Sequence, residues 1–281
     1  MTGNAPRITI IVATFDAAQT LQRCLDSIAG QTYPHRELVV MDGGSTDGTV
    51  DVIEANEGRI SYWKSEPDRG VYHAWNKALD HASGEWVCFL GADDFFWNDN
   101  VLDRMVPHFR EALAQDVRVV YGRVAIITGK GKILETVGEP WELVEKRFRQ
   151  EMSIPHQGVL HHRDLFEEHG KFDESFKILG DYDLLLRELK SRKARFIPDV
   201  VITGMQLGGL SSIPLFQLEH IREVVRARQK NGILGSSPRV RRRLVRAWIR
   251  LGVSKLIGGK ATDQFVDIYR VITGKPRKWT A

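Results

Sequence analysis

The sequence lacks the features of several protein classes. Its 281 residues include two cysteines, Cys24 and Cys88, which lie in apolar patterns. A disulfide framework is therefore excluded, and buried thiols in a reducing compartment are expected. No apolar run approaches the length of a transmembrane helix, and the run 8–13 is too short for a signal peptide. We therefore expect a cytoplasmic protein.

Three ligand-binding motifs are also absent. No G-x-G-x-x-G follows the first predicted strand, and no G-x-x-x-x-G-K-[ST] occurs anywhere. These absences disfavour a dinucleotide site and a P-loop phosphotransferase. His156, His161 and His162 lack the helical H-E-x-x-H spacing, so we expect them in loops or strands rather than in a zinc site.

Positive charge is concentrated near the C-terminus. The net charge is +4, but the segment 239–250 alone contains six arginines and no acidic residue. Apolar residues recur through this segment at helical spacing, which predicts an amphipathic helix over Arg239–Leu251; they are Val240, Leu244, Val245, Trp248 and Leu251. Two interpretations are open. The helix packs on the domain with a solvated basic face, or it binds an anionic membrane surface.

Short β-rich runs alternate with helical patterns in the first third of the chain. This alternation predicts an α/β fold with a mostly parallel sheet, whose ligands bind at the carboxyl ends of the strands. The predicted strands are 8–13, 37–41, 61–64 and 86–90, and the predicted helices are 21–28, 49–56 and 71–82.

The pattern changes after this alternating region. Short strands are predicted at 117–121, 124–128 and 133–137, the last two joined by a hairpin at 129–131, and a helix is predicted at 181–192. From residue 213 the pattern is helical, with a linker at 231–238. We therefore predict a catalytic α/β domain at 1–212 and a helical C-terminal extension at 213–281.

Polar residues follow each of the first four predicted strands. They are Thr14, Phe15 and Asp16, then Asp42 with its glycines, then Asp68 and Arg69, then Asp93 and Asp94. Each group alone is typical of a turn, but their joint position at one sheet edge predicts a ligand site. Adjacent carboxylates such as Asp93 and Asp94 repel each other unless a cation neutralises them, and an oxygen-only site suits Mg²⁺ or Mn²⁺. An exposed acidic turn is the alternative.

The order of these motifs resembles that of family 2 glycosyltransferases with a GT-A fold, a Rossmann-like nucleotide-binding architecture. The resemblance extends over residues 6–212 and is strongest to a bacterial exopolysaccharide subgroup of the colanic-acid type. The matching motifs are 8–16, 25–28, 31–33, 42–49, 66–72, 76–77, 89–94, 156–157, 170–174 and 181–187.

The resemblance implies a role for individual residues. Thr14, Phe15, Asp16 and Asp42 match positions that hold the nucleobase; Asp68 and Arg69 match a nucleotide-contacting loop; Asp93 matches the ribose-facing carboxylate; and Asp94 matches the metal ligand. Asp181 matches the general base, while Asn76, His156 and Gln157 lie in the acceptor or donor-sugar region. The sequence departs from the family pattern at Ala92, in the metal element, and at Gly180, where many relatives carry Glu.

The resemblance implies inverting, metal-assisted transfer of a sugar from a UDP-sugar to a glycan or lipid-linked acceptor. The setting would be bacterial polysaccharide or glycoconjugate synthesis, in the cytoplasm or at the inner face of the cell membrane. A nucleotidyltransferase or a sugar-nucleotide hydrolase could use the same acidic pair. A nucleic-acid-binding protein is suggested only by the arginines, and the acidic loops disfavour a nucleic-acid partner.

Overall fold

The structure, a computed structural model, describes residues 5–129, 131–206, 214–235 and 237–272. Strands of the described residues form one sheet in the order β3-β2-β1-β4-β8-β6-β9-β5, with β7 paired to β6. The strands are β1 (Ile8–Thr14), β2 (Arg36–Asp42), β3 (Tyr62–Ser65), β4 (Trp86–Gly91), β5 (Phe95–Phe96), β6 (Val119–Ile127), β7 (Ile133–Val137), β8 (Val159–His162) and β9 (Arg195–Gln206).

Helices cover both faces of this sheet. They are α1 (Leu21–Ala29), α2 (Thr49–Ala55), α3 (Val71–Leu79), α4 (Val101–Met105), α5 (Pro107–Ala114), α6 (Trp141–Phe148), α7 (Arg163–His169), α8 (Gly180–Leu189), α9 (Pro214–Lys230), α10 (Pro238–Ile257) and α11 (Gly259–Ile272). Single 3₁₀ turns lie at Glu57–Arg59 and His156–Gly158. The predicted α/β class and the four N-terminal strands are confirmed.

The sheet is parallel in its first half and mixed in its second half. Strands β3, β2, β1 and β4 run parallel to one another, as the alternating pattern predicts. Beyond β4, strand β8 is antiparallel to β4 and to β6, whereas β9 is parallel to β6. The predicted hairpin is confirmed as β6–β7, but the strands predicted at 117–121 and 124–128 are one continuous strand.

Two apolar cores flank the sheet because alternate residues of each strand point to opposite faces. On β1, for example, Ile10 and Val12 belong to one core while Ile11 belongs to the other. The first core packs against α1, α4 and α5, and both cysteines are buried in it, as predicted. The second core lies under α3, α6, α7 and α8.

Helix α9 contributes to this second core. Its residues Ile221, Val224 and Ala227 are buried together with side chains of α8. The start of α10 follows, with Val240 buried and with Arg239 and Arg243 both paired to Glu151. The predicted linker is confirmed between α9 and α10, whereas the division into domains at residue 212 stays a prediction. In the described part of the chain, every helix is too short or too polar to cross a lipid bilayer.

Candidate active site

The carboxyl ends of the first four strands lie side by side, which brings the four polar loops to one edge of the sheet. Thr14 at the end of β1 is level with Asp42 at the end of β2, and Asp42 is level with Ser65 of β3. On the other side of β1, Ala13 is level with Gly91 of β4. The clustering predicted from the sequence is therefore present.

The side chain of Asp42 shapes the loop that follows β2. One carboxylate oxygen, Oδ2, accepts hydrogen bonds from the backbone N–H groups of Gly44 (3.0 Å) and Ser45 (2.9 Å) and from the Ser65 hydroxyl (2.6 Å). The backbone of Gly44 has φ +85°, a conformation that favours glycine. Asp42 is 1% exposed, and its carboxylate is hydrogen-bonded to other residues of the chain. Its contact with a nucleobase stays a prediction.

The loop after β1 is tied to the loop after β2 by Asp16. Its backbone N–H donates to Ser45 Oγ (2.8 Å), and its carboxylate accepts from the Thr46 N–H (3.1 Å). Asp16 adopts φ 46°, which turns the chain sharply beside Phe15. The Phe15 side chain is 65% exposed, although an apolar ring of this size is usually buried. This loop therefore presents an aromatic surface to solvent at the site.

Gly43 marks the place where two of the predicted nucleotide-contacting residues meet. A methyl group added at Gly43 would lie 2.8 Å from Asp68 Oδ2 and 3.1 Å from Phe15 Cδ2. The other oxygen of Asp68 accepts from the Gly70 N–H (2.7 Å) just before α3. An exposed ring and a carboxylate oxygen are thus adjacent, which suits stacking on a planar base and acceptance of its N–H.

Arg69 and Asn76 both contact Glu174, which ends the motif 170–174 and had no predicted role. Arg69 Nη2 lies 2.5 Å from Glu174 Oε2, and Asn76 Nδ2 donates to Glu174 Oε1 (3.0 Å). Hydrogen bonds from Asn76 and then Arg69 lower the pKa of Glu174. Asn76 also exchanges two hydrogen bonds with the backbone of Phe172. Its described role is to tie the loop before α8 to α3, and its contact with a sugar stays a prediction.

The acidic pair after β4 converges above Gly91. A methyl group added there would lie 2.8 Å from Asp93 Oδ1 and 3.0 Å from Asp94 Oδ2, so glycine is needed for the close approach. Asp94 is 4% exposed, and its Oδ1 accepts from the backbone N–H of Gln206 (3.2 Å). Burial, followed by the charge of Asp93, raises the pKa of Asp94 to about 7. The negative charge of the pair is therefore only partly neutralised by the neighbouring groups.

The convergence of these two carboxylates fits a hard divalent cation. A cation between Asp93 and Asp94 would offset the repulsion and desolvation that raise the pKa of Asp94. In the residues that the structure describes, no three His, Cys, Asp or Glu side chains are grouped to hold a metal. The protein would therefore supply two carboxylates at most, and phosphate or water oxygens the remaining ligands.

Arg23 of α1 is the cationic side chain that sequence reasoning missed at this end of the site. Its Nη2 donates to the backbone carbonyl of Asp93 (2.8 Å) and to Gln206 Oε1 (2.5 Å). The guanidinium lies 4.5 Å from the centre of the Phe95 ring, a cation–π distance. Only the three-dimensional structure brings Arg23 to the acidic pair, because 70 residues separate it from Asp93 in the sequence.

Asp181 is the second residue of α8 and is half-buried. Its Oδ1 accepts from the Tyr182 N–H (2.8 Å) and lies 3.4 Å from the Tyr72 hydroxyl. Burial raises the pKa of Asp181 to about 6, against the opposing effect of these hydrogen bonds. A carboxylate with that pKa is ionised at neutral pH and is a stronger base than an ordinary aspartate. These properties suit the predicted general base.

Gly180 and Tyr72 form a specific pair next to this base. A methyl group at Gly180 would lie 2.9–3.0 Å from carbon atoms of the Tyr72 ring. The space that a side chain at position 180 would occupy is therefore filled by the face of an aromatic ring. Tyr72 follows Arg69 by three residues, so the nucleotide-contacting loop and the base are connected through the first turn of α3.

His156 lies in a buried aromatic cluster rather than in an open pocket. Its ring is 5.3 Å from the Trp75 ring and 5.2 Å from that of His161. Burial lowers the pKa of His156 well below its usual value, so its imidazole is neutral. Among the described residues, Nε2 of both histidines and Nε1 of Trp75 find no hydrogen-bond partner. The histidines lie in a turn and a strand, as predicted: His156 is in a 3₁₀ turn and His161 is in β8. Gln157 follows His156, and the backbone carbonyl of Gln157 accepts a hydrogen bond from the Thr203 hydroxyl.

Comparison with known proteins supports one family. The profile described as "Glycosyl transferase family 2" matches residues 9–163. A PGL/p-HBAD biosynthesis glycosyltransferase from Mycobacterium bovis (strain BCG / Pasteur 1173P2) is 34% identical over 213 residues, which are 74% of this chain and 80% of that protein.

Two solved structures resemble the fold. S. aureus TarS 1–349 in complex with UDP has a TM-score of 0.63 at 17% identity, covering 93% of this chain and 78% of that one. The mannosyltransferase PcManGT from Pyrobaculum calidifontis, in complex with GDP-Man and Mn²⁺, has a TM-score of 0.63 at 20% identity, covering 95% and 80%. Against the longer TarS chain, the match spans 39% of that protein. These likenesses confirm the predicted GT-A-like fold, and the colanic-acid-type subgroup stays a prediction.

Proposed function

The chain belongs to glycosyltransferase family 2, and we propose that it transfers a sugar from a nucleotide-sugar donor to a hydroxyl group of a glycan or lipid-linked acceptor. The enzyme class follows from the family. The donor, the acceptor, the stereochemistry and the need for a metal are our proposals. We place the reaction in bacterial polysaccharide or glycoconjugate synthesis, because the mycobacterial relative is named as a glycosyltransferase of PGL/p-HBAD biosynthesis.

The arrangement of three carboxylates carries this proposal. Asp93 and Asp94 converge at the end of β4, whereas Asp181 stands apart at the start of α8 with a pKa raised to about 6 by burial. A pair that attracts a cation and a separate carboxylate that accepts a proton suit metal-assisted inverting transfer. The side chain of Tyr72 links Asp181 to the helix that follows the loop of Asp68 and Arg69.

Each residue then has a defined task in the reaction. Phe15 and Asp68 hold the nucleobase, and Arg23 contributes positive charge near the diphosphate. Asp181, ionised above pH 6, takes the proton of the acceptor hydroxyl group while the oxygen of that hydroxyl attacks the anomeric carbon of the donor sugar. The bond from that carbon to the diphosphate oxygen breaks on the opposite face, which inverts the configuration.

Asp94, together with Asp93, would hold a Mg²⁺ or Mn²⁺ ion. The bound ion supplies charge stabilisation for the departing nucleoside diphosphate. The protein's own contribution is to keep two carboxylate oxygens close together above Gly91 and to bury one of them. A buried carboxylate is held in place before the ion arrives, so less ordering is needed on binding.

We propose a uridine diphosphate donor. An exposed ring with an adjacent carboxylate oxygen suits a planar base that carries one ring N–H, as uracil does. TarS was crystallised with UDP and the mannosyltransferase with GDP-Man, so a guanosine donor is the competing choice.

The test is a panel of UDP- and GDP-sugars, each with and without Mn²⁺, scored by thermal shift and by product analysis with added glycan acceptors. We expect UDP-sugars to give the larger stabilisation and a new glycoside to form. Transfer of the nucleoside monophosphate with release of a sugar 1-phosphate would indicate a nucleotidyltransferase. Release of free sugar unaffected by any acceptor would indicate a sugar-nucleotide hydrolase.

We also propose that the C-terminal helices attach the enzyme to the anionic inner face of the cell membrane. The last 44 residues contain twelve arginines and lysines against two aspartates, while the preceding 237 residues have an excess of acidic side chains. Helix α10 exposes Val245 and Ile249, four residues apart, and α11 exposes Phe265, Ile268 and Ile272 along one face. Exposed apolar rows beside arginines are typical of interfacial helices. The side chains of Trp248 and Leu251 lie outside the described residues.

Flotation with lipid vesicles tests this attachment. Arg241 and Arg242 are exposed, and each charge near an anionic surface contributes about 1 kcal/mol. The double variant R241E/R242E should therefore bind phosphatidylglycerol vesicles at least tenfold more weakly, and high salt should weaken wild-type binding. Arg222→Glu, an exposed charge reversal on α9, is the matched control and should bind normally. Failure of the wild-type protein to float would refute the attachment.

A further inference from the structure

Glu223 of α9 is a buried carboxylate directed at the backbone just before the candidate base. It is 3% exposed, and its Oε1 accepts a hydrogen bond from the Lys177 N–H (2.7 Å). Its Oε2 accepts from the N–H groups of Ile178 and Leu179, each at 2.9 Å. Three consecutive backbone donors thus converge on one side chain, 44 to 46 residues further along the chain.

These donors lie in the turn that leads into α8, which begins at Gly180 and carries Asp181. The first N–H groups of a helix have no partner within the helix, and a negative charge there is favoured by the helix dipole. The structure shows no side-chain cap from Leu179, the residue before the helix. Glu223 supplies this negative charge from another helix. Among the described residues, no salt bridge draws its carboxylate away from the turn.

The same turn is held from the opposite side by Tyr72. Its hydroxyl donates to the Ile178 carbonyl (2.6 Å), while the same oxygen lies 3.4 Å from Asp181 Oδ1. Residue 178 is therefore bound at its N–H by α9 and at its carbonyl by α3. With both peptide groups fixed, little freedom remains for the carboxylate that follows three residues later.

We propose that Glu223 is a positioning residue that holds Asp181 in place for proton transfer. The inference rests on the proposed function, in which Asp181 is the general base. Helix α9 holds Glu223 in a fixed position relative to α8, because Ile221, Val224 and Ala227 are buried in the core that α9 shares with α8. A residue that only stabilised the fold would have no reason to affect the acceptor step selectively.

The charges facing Asp181 determine how the test is interpreted. Burial is the largest cause of its raised pKa, and the charge of Glu223 adds to it. Tyr72 from α3 and the Tyr182 N–H on α8 act in the opposite direction. Asp183, two residues after Asp181, forms salt bridges with Arg187 and Lys230, which offset its charge. Removing the charge of Glu223 should therefore lower the pKa of Asp181.

The experiment compares Glu223→Gln with Glu219→Gln, a partly exposed position one turn earlier on the same helix. Glutamine keeps the size of the side chain but loses the charge, and its amide nitrogen cannot accept the third N–H. We expect kcat of Glu223→Gln to fall at least tenfold, donor binding to stay within twofold, and the acid limb of the pH–kcat profile to move below pH 6. Glu219→Gln should resemble the wild type in all three measurements.

A second variant keeps the inference testable if Glu223→Gln does not fold. Tyr72→Phe removes the hydrogen bond to Ile178 from the other side of the turn and should likewise lower kcat without weakening donor binding. An unchanged kcat and pH profile in folded Glu223→Gln would overturn the positioning role; if that variant does not fold, an unchanged Tyr72→Phe would overturn it. Asp181→Asn is measured in parallel: if it stays active, the proposed base is wrong, whereas if it is inactive while the other variants are normal, only the role of Glu223 fails.

Discussion

Replacing Asp181 with Asn should remove transfer and, at the same time, make the folded protein more stable at neutral pH. Burial raises the pKa of Asp181 to about 6 in the folded state, compared with about 3.8 for an ordinary aspartate. The folded state therefore binds the proton more tightly than the unfolded state does. The wild type then loses stability as pH rises from about 4 through 6, because keeping this carboxylate ionised disfavours folding.

The size of both effects follows from this pKa. A pKa raised from 3.8 to about 6 corresponds to roughly 3 kcal/mol of folding free energy for a fully buried group, and half-burial reduces this to about 1–2 kcal/mol. In the wild type, kcat should fall by half near pH 6 and to about a tenth of its plateau at pH 5, where about a tenth of the base is ionised. Loss of the base should cost on the order of 10² to 10⁴ in kcat.

The assay combines melting curves at pH 4 and pH 8 with transfer rates and donor binding. Asp181→Asn should melt several degrees above the wild type at pH 8 and close to it at pH 4. Asp183→Asn is the contrasting control: this buried carboxylate is paired with Arg187 and Lys230, so its loss should lower the melting temperature. Equal stability shifts at both pH values, or a normal transfer rate, would refute the reasoning for Asp181.

Three further changes probe the rest of the site. Asp94→Asn should abolish the extra thermal stabilisation that Mn²⁺ gives to the UDP-bound protein, and activity should fall with it. The exposed Asp51→Asn should change neither, and wild-type activity that persists in a chelator would argue against a metal ion. Phe15→Ala should weaken donor binding about tenfold, a typical value for one stacking contact, whereas Phe265→Ala, equally exposed but on α11, should leave donor binding unchanged. Gly180→Ala places a methyl group 2.9–3.0 Å from the ring packed on it, so we expect a lower kcat with near-normal donor binding, measured by calorimetry.

The N-terminal half of the fold was predictable because its signals are local. Apolar strands alternate with helical stripes, and parallel strands joined in this way necessarily bring their following loops to one edge. The acidic pair, the Asp68 loop and the exposed Phe15 could therefore be placed together from the sequence alone. The contacts of Asp42 within its own loop could not, because a buried and an open aspartate have the same sequence signature.

The second half was less predictable because its partners are distant in the sequence. Gly122 resembles a break between two strands, yet a methyl group there would lie 2.6 Å from the Val200 carbonyl oxygen. The glycine allows β9 to approach closely, and β6 continues through it with a shift in register. Likewise, Arg23 and Glu174 lie 70 and 98 residues from Asp93 and Asn76, which they contact, so no periodic pattern could connect them.

The proposed base lies outside the part of the chain that the family profile matches. The profile covers residues 9–163, which include the loops assigned to the donor but neither Asp181 nor Glu223. Gln206 at the end of β9 contacts Asp94 from outside that range as well. Residues beyond position 163 therefore contribute to both parts of the candidate site. Asp181 is the proposed base, whereas Glu174 and Gln206 contact Arg69 and Asp94, which are proposed to bind the donor and the metal ion. Exchange of this part of the chain between relatives would therefore alter contacts to the donor residues as well as the base.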